Sequence, residues 1–530
     1  MEELEFYTKR FEDGKISRRE FTGRAIAMGV AVGVASTMAD TAMAASPKKG
    51  GHLRMGIGAG ASDDTLDPST YGENFTQNMG FATRNYLTEI DREGNLVGEL
   101  ATEWSASPDA AQWTFKLRND VEFHNGKTMD AEDVIASYNH HRGDDSVSAM
   151  KDIAKTIVDM KAIDKNTVQF TLEGGNADFP YIASDYHIAI LPSKDGVAQW
   201  QDGGGTGGYM VENFEPGVRL DLKRHPNFFK GDERAHFDSG EILVMLDQVA
   251  RTNALTTGEI DVMDRVELKT LHLLERNDNL RIEETTGTQH FTLPMRSDTA
   301  PFDDNNVRMA IKLSLDREAL LRTLLRGHGA VGNDHPISTA NQYHASYLPQ
   351  REYDPERAKW FLRQSGLESL AVDIYLADTA FAGAVDTGVL FKEHAKASGI
   401  DITVHQEPKD GYWSAIWMQK GWCASYWGGR PTEDWMFSVA YASGGNWNES
   451  FMEHDQFNKL LVAARAELDS DKRREMYGRM QSIVRDQGGS VVPVFSNYVF
   501  AMNKSVQHGP SMAANWDMDG LRGFERWWFA

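Results

Sequence analysis

The sequence holds a single cysteine in 530 residues. That excludes an intramolecular disulfide and any cysteine-ligated zinc or iron–sulfur centre. Basic side chains are also in deficit: 55 Lys plus Arg stand against 78 Asp plus Glu, a net charge of −23. A protein that tracks phosphates presents a basic surface, so no nucleic-acid partner is expected. No low-complexity run and no repeat of about 20–50 residues breaks the chain, which excludes solenoids. Catalytic signatures are missing too: there is no G-x-S-x-G elbow, no H-E-x-x-H and no Walker loop. Carboxylate pairs such as Glu433-Asp434 are too common among 78 acids to define a glycosidase, so a secreted hydrolase stays open as a reading of a different class.

What is present is globular. The 41% hydrophobic and 25% charged content is that of a folded chain. At ~150 residues per domain the length suggests two to four domains. The first segment reads as an address. Ser17-Arg18-Arg19-Glu20-Phe21 leads into the uncharged stretch Ala25–Ala39, and Ala42-Met43-Ala44 follows as a small-x-small cleavage site. The arginine pair resembles a twin-arginine signal. The apolar stretch is short of the ~18 strongly apolar residues of a membrane span. Cleavage is expected after Ala44. Residues 1–44 carry six basic and seven acidic side chains, so the mature chain would keep −22. Cys423 lies far from this site, so no lipid-bearing cysteine is expected at the new N-terminus, and the mature protein should be soluble in the periplasm. Rapid folding is the plainer reason for a folded-export signal, since no cofactor site is apparent.

Along the mature chain, strands and helices alternate without segregation, which indicates an α/β protein of more than one lobe. His52–Met55 reads as a strand. Gly56-Ile57-Gly58-Ala59-Gly60-Ala61 imitates a dinucleotide fingerprint, but turn residues Ser62–Pro68 follow where a helix is required. Trp113–Arg118 alternates as a half-buried strand, and Asn125-Gly126 marks a hairpin turn. Asp130 caps a helix. His124, His140 and His141 match no zinc spacing. Gly203–Gly208 lacks the Lys-Ser/Thr of a phosphate loop and reads as a flexible entry into the hairpin Tyr209–Lys223, with Pro216-Gly217 at its turn. Ala254–Val262 reads as a helix that ends at Gly258 and passes into a strand. Asn306–Leu325 reads as one long amphipathic helix, and Asp354-Pro355-Glu356 opens another. Phe457–Leu468 and Lys472–Asp486 are further helices, and Val491–Phe495 is a buried strand.

Tryptophan is concentrated. Trp413, Trp417, Trp422, Trp427, Trp435 and Trp447 are six of 13 within 35 residues. Gly428-Gly429 and Gly444-Gly445 keep this segment from being one helix. Trp422, Tyr426 and Trp427 flank turn glycines beside Arg430, Glu433 and Asp434. Aromatics with a few converging charges suit a small-molecule pocket. A Trp-rich core with a solvated charge cluster is the plainer alternative.

Several segments, taken together in order and spacing, carry a family likeness. They are WTFKLRNDVEFHNGKTMDAEDV from Trp113, GTGGY from Gly205, GEIDV from Gly258, APFDDNNVRMAIKLSLDREAL from Ala300, YDPERAKWFLRQSG from Tyr353 and RREMYGRMQSIVRD from Arg473, which leads into VVPVF. Over nearly its whole mature length the chain resembles the periplasmic solute-binding proteins of peptide-type ABC importers, family 5, whose members bind dipeptides, oligopeptides or nickel. The resemblance implies a two-lobed clamshell of the type II, cluster C kind, with an extra domain. Lobe I would comprise 46–90, 205–292 and 497–530, the extra domain 91–204 and lobe II 293–496. Two strands would cross between lobes, near Phe291–Met295 and Val492–Phe495. The implied function is capture of a di- or oligopeptide for a membrane permease, by a monomer that needs no cofactor or metal. Free histidines without ligand spacing make a nickel role a poor fit. Oligopeptide binders carry an acid after the Trp-Cys-Ala triplet to pair with the peptide's amino group. Here Ser425 follows Trp422-Cys423-Ala424. Glu433 or Asp434 is the expected replacement, and Arg430 and Arg296 are candidates for holding a carboxylate. An opine, a polyamine-like compound or another modified amino acid is the alternative cargo.

Overall fold

The computed structural model describes residues 47–530 apart from positions 144, 409, 410, 431 and 446. The export signal expected over 1–44 lies outside the described residues. No helix among the described residues is long and apolar enough to cross a membrane.

The chain begins with strand β1 (His52–Ile57) and helix α1 (Asn74–Thr83). It then leaves for an antiparallel sheet of β2 (Ala101–Ala106), β3 (Gln112–Leu117), β4 (Ile157–Asp164) and β5 (Thr167–Leu172), in the order β2-β3-β5-β4. Helix α2 (Ala131–His140) packs on this sheet. Its start follows the expected chemistry. Asp130 accepts from the Glu132 and Asp133 amides, and Asp133 reaches back to the Asp130 amide, which closes a capping box. Trp113, Phe115 and Phe170 point into one core with Val134 and Tyr138.

The chain returns through β6 (Tyr209–Glu215), β7 (Arg219–Arg224) and β8 (Ser239–Val244), then helix α3 (Gln248–Thr257) and β9 (Val262–Met263). Gly258 ends α3 in the left-handed region, at φ 77°, as the sequence indicated. The glycines before β6 are not a flexible lead. A Cβ on Gly205 or Gly207 would lie within 2.3 Å of the Thr83 backbone, so these positions serve close packing of two chain segments.

Strand β10 (Leu280–Pro294) runs out of this region and into the second lobe. There follow helices α4 (Asn305–Leu313) and α5 (Arg317–Leu324), strand β11 (Gly329–Val331), helix α6 (Pro355–Gln364), strand β12 (Leu370–Leu376), helix α7 (Ala384–Lys396), strand β13 (Ile400–Gln406) and strand β14 (Ser425–Trp427). Helices α8 (Glu433–Ala440), α9 (Asp455–Ala466) and α10 (Ser470–Gln487) complete the lobe. The single helix expected over Asn306–Leu325 is two. Asp316 accepts from the Ala319 amide and caps a second helix, and that competing cap breaks the periodic run at 314–316. The strand expected over Val491–Phe495 is also split. Pro493 cannot donate to a ladder, so β15 (Ser490–Val491) pairs with the end of β10, and β16 (Val494–Asn503) begins after it.

The large sheet runs β6-β7-β8-β1-β9-β16-β10-β14. β10 and β16 are antiparallel and cross between the lobes. They pair from Leu280↔Asn503 to Thr286↔Asn497 and again at His290↔Phe495, with a register shift between Thr286 and His290. One apolar core lies on the β1 side with Leu53, Phe75, Tyr209, Phe500 and Trp527. Another lies on the far side with Leu293, Ile311, Ile374, Phe391 and Trp422.

A buried ionic network joins the chain's late segment to the rest. The Lys230 ammonium donates to Glu89, Glu99 and Glu525 at 2.6, 2.7 and 2.8 Å. Arg522 donates to Glu99 at 2.7 Å and Glu525 at 3.1 Å. Arg526 reaches Glu89 at 3.1 Å and Asp519 at 3.0 Å. Burial alone would raise the Glu89 carboxyl, but Lys230, Arg522 and Arg526 outweigh it and hold it well below 4.5. Removing one partner from such a set strands a buried charge, so Arg522→Ala should cost about 3–5 kcal/mol in denaturant unfolding. Because Glu89 and Glu525 are held low, their contribution is complete above the ordinary carboxylate value and is lost as pH falls below it. The melting temperature of the wild type should therefore drop below pH ~4.5, with a shallower acid drop in Arg522→Ala.

Candidate functional site

The crossing strands leave a cleft of about 990 Å³ between the lobes. One wall comes from the glycine-rich turn Gly58–Gly60 and from α1 through Asn74 and Gln77. The opposite wall presents Tyr426, in β14, and Gly428 just after it. Gln289, Ser496 and Tyr498 come from the crossing strands, and Trp516 and Asp517 close one side. A smaller chamber of about 230 Å³ adjoins at Trp516, with Arg430, Glu433, Asp185 and Thr288 in its lining.

Close approaches of backbone shape the floor. Gly287 falls within the register shift of β10, and a Cβ there would meet the Tyr498 ring at 2.2 Å. Gly429, at φ 84°, sits against Thr288, whose hydroxyl would be 1.9 Å from an added Cβ. Tyr498 lies over the gap and hydrogen-bonds to Thr288. Each glycine is required where two chain segments touch beneath the cleft.

The residues expected to bind ligand are dispersed. Trp422 is fully buried, donates from its indole to the Leu293 carbonyl at 3.2 Å and packs on Phe302 and Phe391, so it belongs to the lobe core. Arg296 is occupied: it pairs with Asp298 at 2.8 Å, donates to the Met418 carbonyl at 2.8 Å and lies 3.8 Å over the Phe451 ring. Glu433 lines the smaller chamber but accepts the Tyr343 amide at 2.7 Å, and burial pushes it up to about 7. Asp434 faces elsewhere and binds the Arg465 guanidinium at 3.1 Å, while burial pushes it up to about 6. Both sit in the first turn of α8 behind the cap Thr432. Tyr426 is 44% exposed on the cleft. Arg430 lines the smaller chamber, lies 5.4 Å over the Trp427 ring, and its one direct hydrogen bond among the described residues is to the adjacent Gly429 carbonyl. No carboxylate among the described residues pairs with it.

Ser425 has a local explanation. The buried Glu449 carboxylate accepts the Trp417 indole at 2.8 Å, the Trp427 indole at 3.1 Å and the Thr292 hydroxyl at 2.7 Å. Ser425 bonds to the same carboxylate. Burial raises Glu449 despite these donors. An acid at 425 would put a second carboxylate beside it, where no cation among the described residues pairs with Glu449, which is costly. Three of the clustered tryptophans are thus organised by one acid or by the core: Trp417 and Trp427 by Glu449, Trp422 by packing. Sequence reading missed Glu449 because nothing near Asn448-Glu449-Ser450 marks it. It missed Trp516, Asp517 and Tyr498 because they lie about 50–70 residues beyond the aromatic segment, and the topology alone brings them back to it.

The acids Glu89, Glu99 and Glu525 lie near enough to share a metal. The Lys230 ammonium sits among them instead.

A cleft between two lobes, tied by two crossing strands and lined by aromatics and separate charges, defines a binding protein of the clamshell class. The model of bacterial extracellular solute-binding proteins, family 5 Middle, matches residues 95–449, and the chain belongs to that family. It is a family of solute-binding proteins, not of enzymes. The chain is 26% identical over 494 residues to the probable D,D-dipeptide-binding periplasmic protein DdpA of Escherichia coli, covering 85% of this chain and 90% of that one. It is 25% identical over 501 residues to the glutathione-binding protein GsiB of Shigella flexneri, covering 90% and 94%. Among solved structures, HbpA2 from Haemophilus parasuis superposes with a TM-score of 0.79 at 18% identity, over 91% of this chain and 100% of that one. The α/β clamshell expected from the sequence is the fold observed.

Glu449→Ala would leave two indole N–H groups without their acceptor. The cost should be about 1–3 kcal/mol for each stranded donor. Urea unfolding should show that loss, and tryptophan emission should shift to the red as water reaches Trp417 and Trp427.

Proposed function

We propose that this protein captures a di- or oligopeptide, or a related amine-bearing solute, between its lobes and hands it to the membrane permease of an ABC importer. Family membership and the names of the relatives support the reading, and Arg430 is the observation that carries it to particular residues. A half-buried guanidinium in the chamber beside the cleft, salt-bridged to no acid among the described residues, has capacity for a carboxylate, which it can bind through two parallel N–H donors. Closure follows if solute touches both walls, because only contacts made in the closed state favour it. The lobe boundaries 46–90 with 205–292 and 497–530, 91–204, and 293–496 belong to this proposal, as does action as a monomer. An opine or other modified amino acid is the second reading, favoured by Glu449, which bars an acid from position 425.

The test is recovery. Mass spectrometry of small molecules that co-purify with the gently isolated protein should return an intact amine- and carboxylate-bearing solute, and chemical turnover of added peptides would overturn the reading. Arg430→Ala should weaken that solute's binding about 10–100-fold by calorimetry with little change in melting temperature.

Export by the twin-arginine route, with cleavage near Ala44, is part of the same proposal. Replacing Arg18 and Arg19 together by lysine should leave uncleaved precursor in the cytoplasm after cell fractionation, and normal periplasmic accumulation would exclude the route.

A further inference from the structure

Asp517 is a charged group in the cleft that the mechanism above leaves unused. It is 6% exposed and lines the 990 Å³ cleft between Trp516 and the segment that carries Leu521. One of its oxygens accepts the Met518 amide at 2.8 Å. Among the described residues no cation pairs with it. Arg265, which lines the same cleft, is the cation whose charge acts on it, but Arg265 lies 3.7 Å from Asp264 instead, with a half-exposed side chain. Asp264 in turn accepts the Gly58 amide at 2.8 Å and the Asn74 side chain at 3.1 Å. Burial and the Asp264 charge push Asp517 up to about 7, as expected of an acid without its counter-charge.

The backbone that holds Asp517 is unusual. Met518, Asp519, Gly520 and Leu521 all have positive φ, at 47°, 62°, 69° and 61°. Consecutive non-glycine residues in this region cost energy and persist only where surroundings force them. Here Asp519 is held by Arg526 at 3.0 Å and by the Ala513 amide at 2.8 Å. The strain therefore ends in one product: a carboxylate fixed at the cleft wall, with the Tyr498 ring and Trp516 beside it. Aromatic faces next to an acid favour a cation.

We propose that Asp517 receives the cationic group of the solute, from the lobe I wall, in place of the acid that position 425 lacks. This rests on the reading of the cleft as the solute site. Arg430 across Trp516 takes the carboxylate end, so the pair selects zwitterionic solutes whose ammonium lies toward lobe I.

The test uses the exported protein incubated with a casein peptide digest and cleared of free peptide by gel filtration. Retained peptides are identified by mass spectrometry, and one is measured by calorimetry as such and after N-acetylation. Acetylation should cost wild-type binding at least ~30-fold, and Asp517→Asn, which still accepts the Met518 amide, should lose affinity for the free peptide to a similar extent while melting no lower than wild type. Unchanged affinity in Asp517→Asn, or equal binding of the acetylated peptide by the wild type, overturns the assignment of Asp517 and leaves the cleft as the peptide site. Retention of no peptide by the wild type overturns both.

Discussion

The cluster of Glu89, Glu99 and Glu525 with Lys230, Arg522 and Arg526 is the contact on which the binding surface depends. It is assembled from three distant stretches of chain, and none of its charges is stable in the interior without the others. One of its cations, Arg526, also reaches Asp519, and Asp519 pins the left-handed run behind Asp517. A charge that faces solute is thus positioned by charges that never meet it. Six ionic groups are spent on geometry so that one can stay unpaired.

Lobe II uses its polar groups in the opposite sense. Glu449 is consumed by two indoles, a threonine and a serine, and it has no capacity left for a ligand. What it produces is orientation: Trp427 is held so that Arg430 can lie across its face. The division of labour is electrostatic. Arg430 lies over an aromatic ring, Asp517 lies beside aromatics, and the Glu449 carboxyl between the indoles is fully taken up by hydrogen bonds.

Much of the architecture was legible in the sequence because it rests on local signals. The Asp130 capping box, the Gly258 stop, the Pro216-Gly217 hairpin and the Asp354-Pro355 start each specify their element within a few residues. Failures came where two local signals competed, as when Asp316 capped a new helix inside a continuous apolar period, or Pro493 interrupted a ladder. The site was less legible. Tyr426 and Arg430 line the cleft chambers, whereas Trp422, Arg296 and Asp434 are taken up by core packing and ion pairs. A tryptophan or a charge has the same letter whether it serves a core or a cleft. The partner decides, and partners such as Glu449 or Arg465 come from elsewhere in the chain.

The β10–β16 ladder has a mechanical consequence. Paired strands resist bending where their hydrogen bonds are continuous, and here the register is continuous from Leu280 to Thr286 and is lost until His290. Compliance between the lobes is concentrated in Gly287-Thr288-Gln289. Those same residues, with Tyr498 laid over Gly287, form the cleft floor. If solute binds in this cleft, the joint between the lobes and the surface it touches are one piece of backbone, and cargo would stiffen the molecule at its pivot.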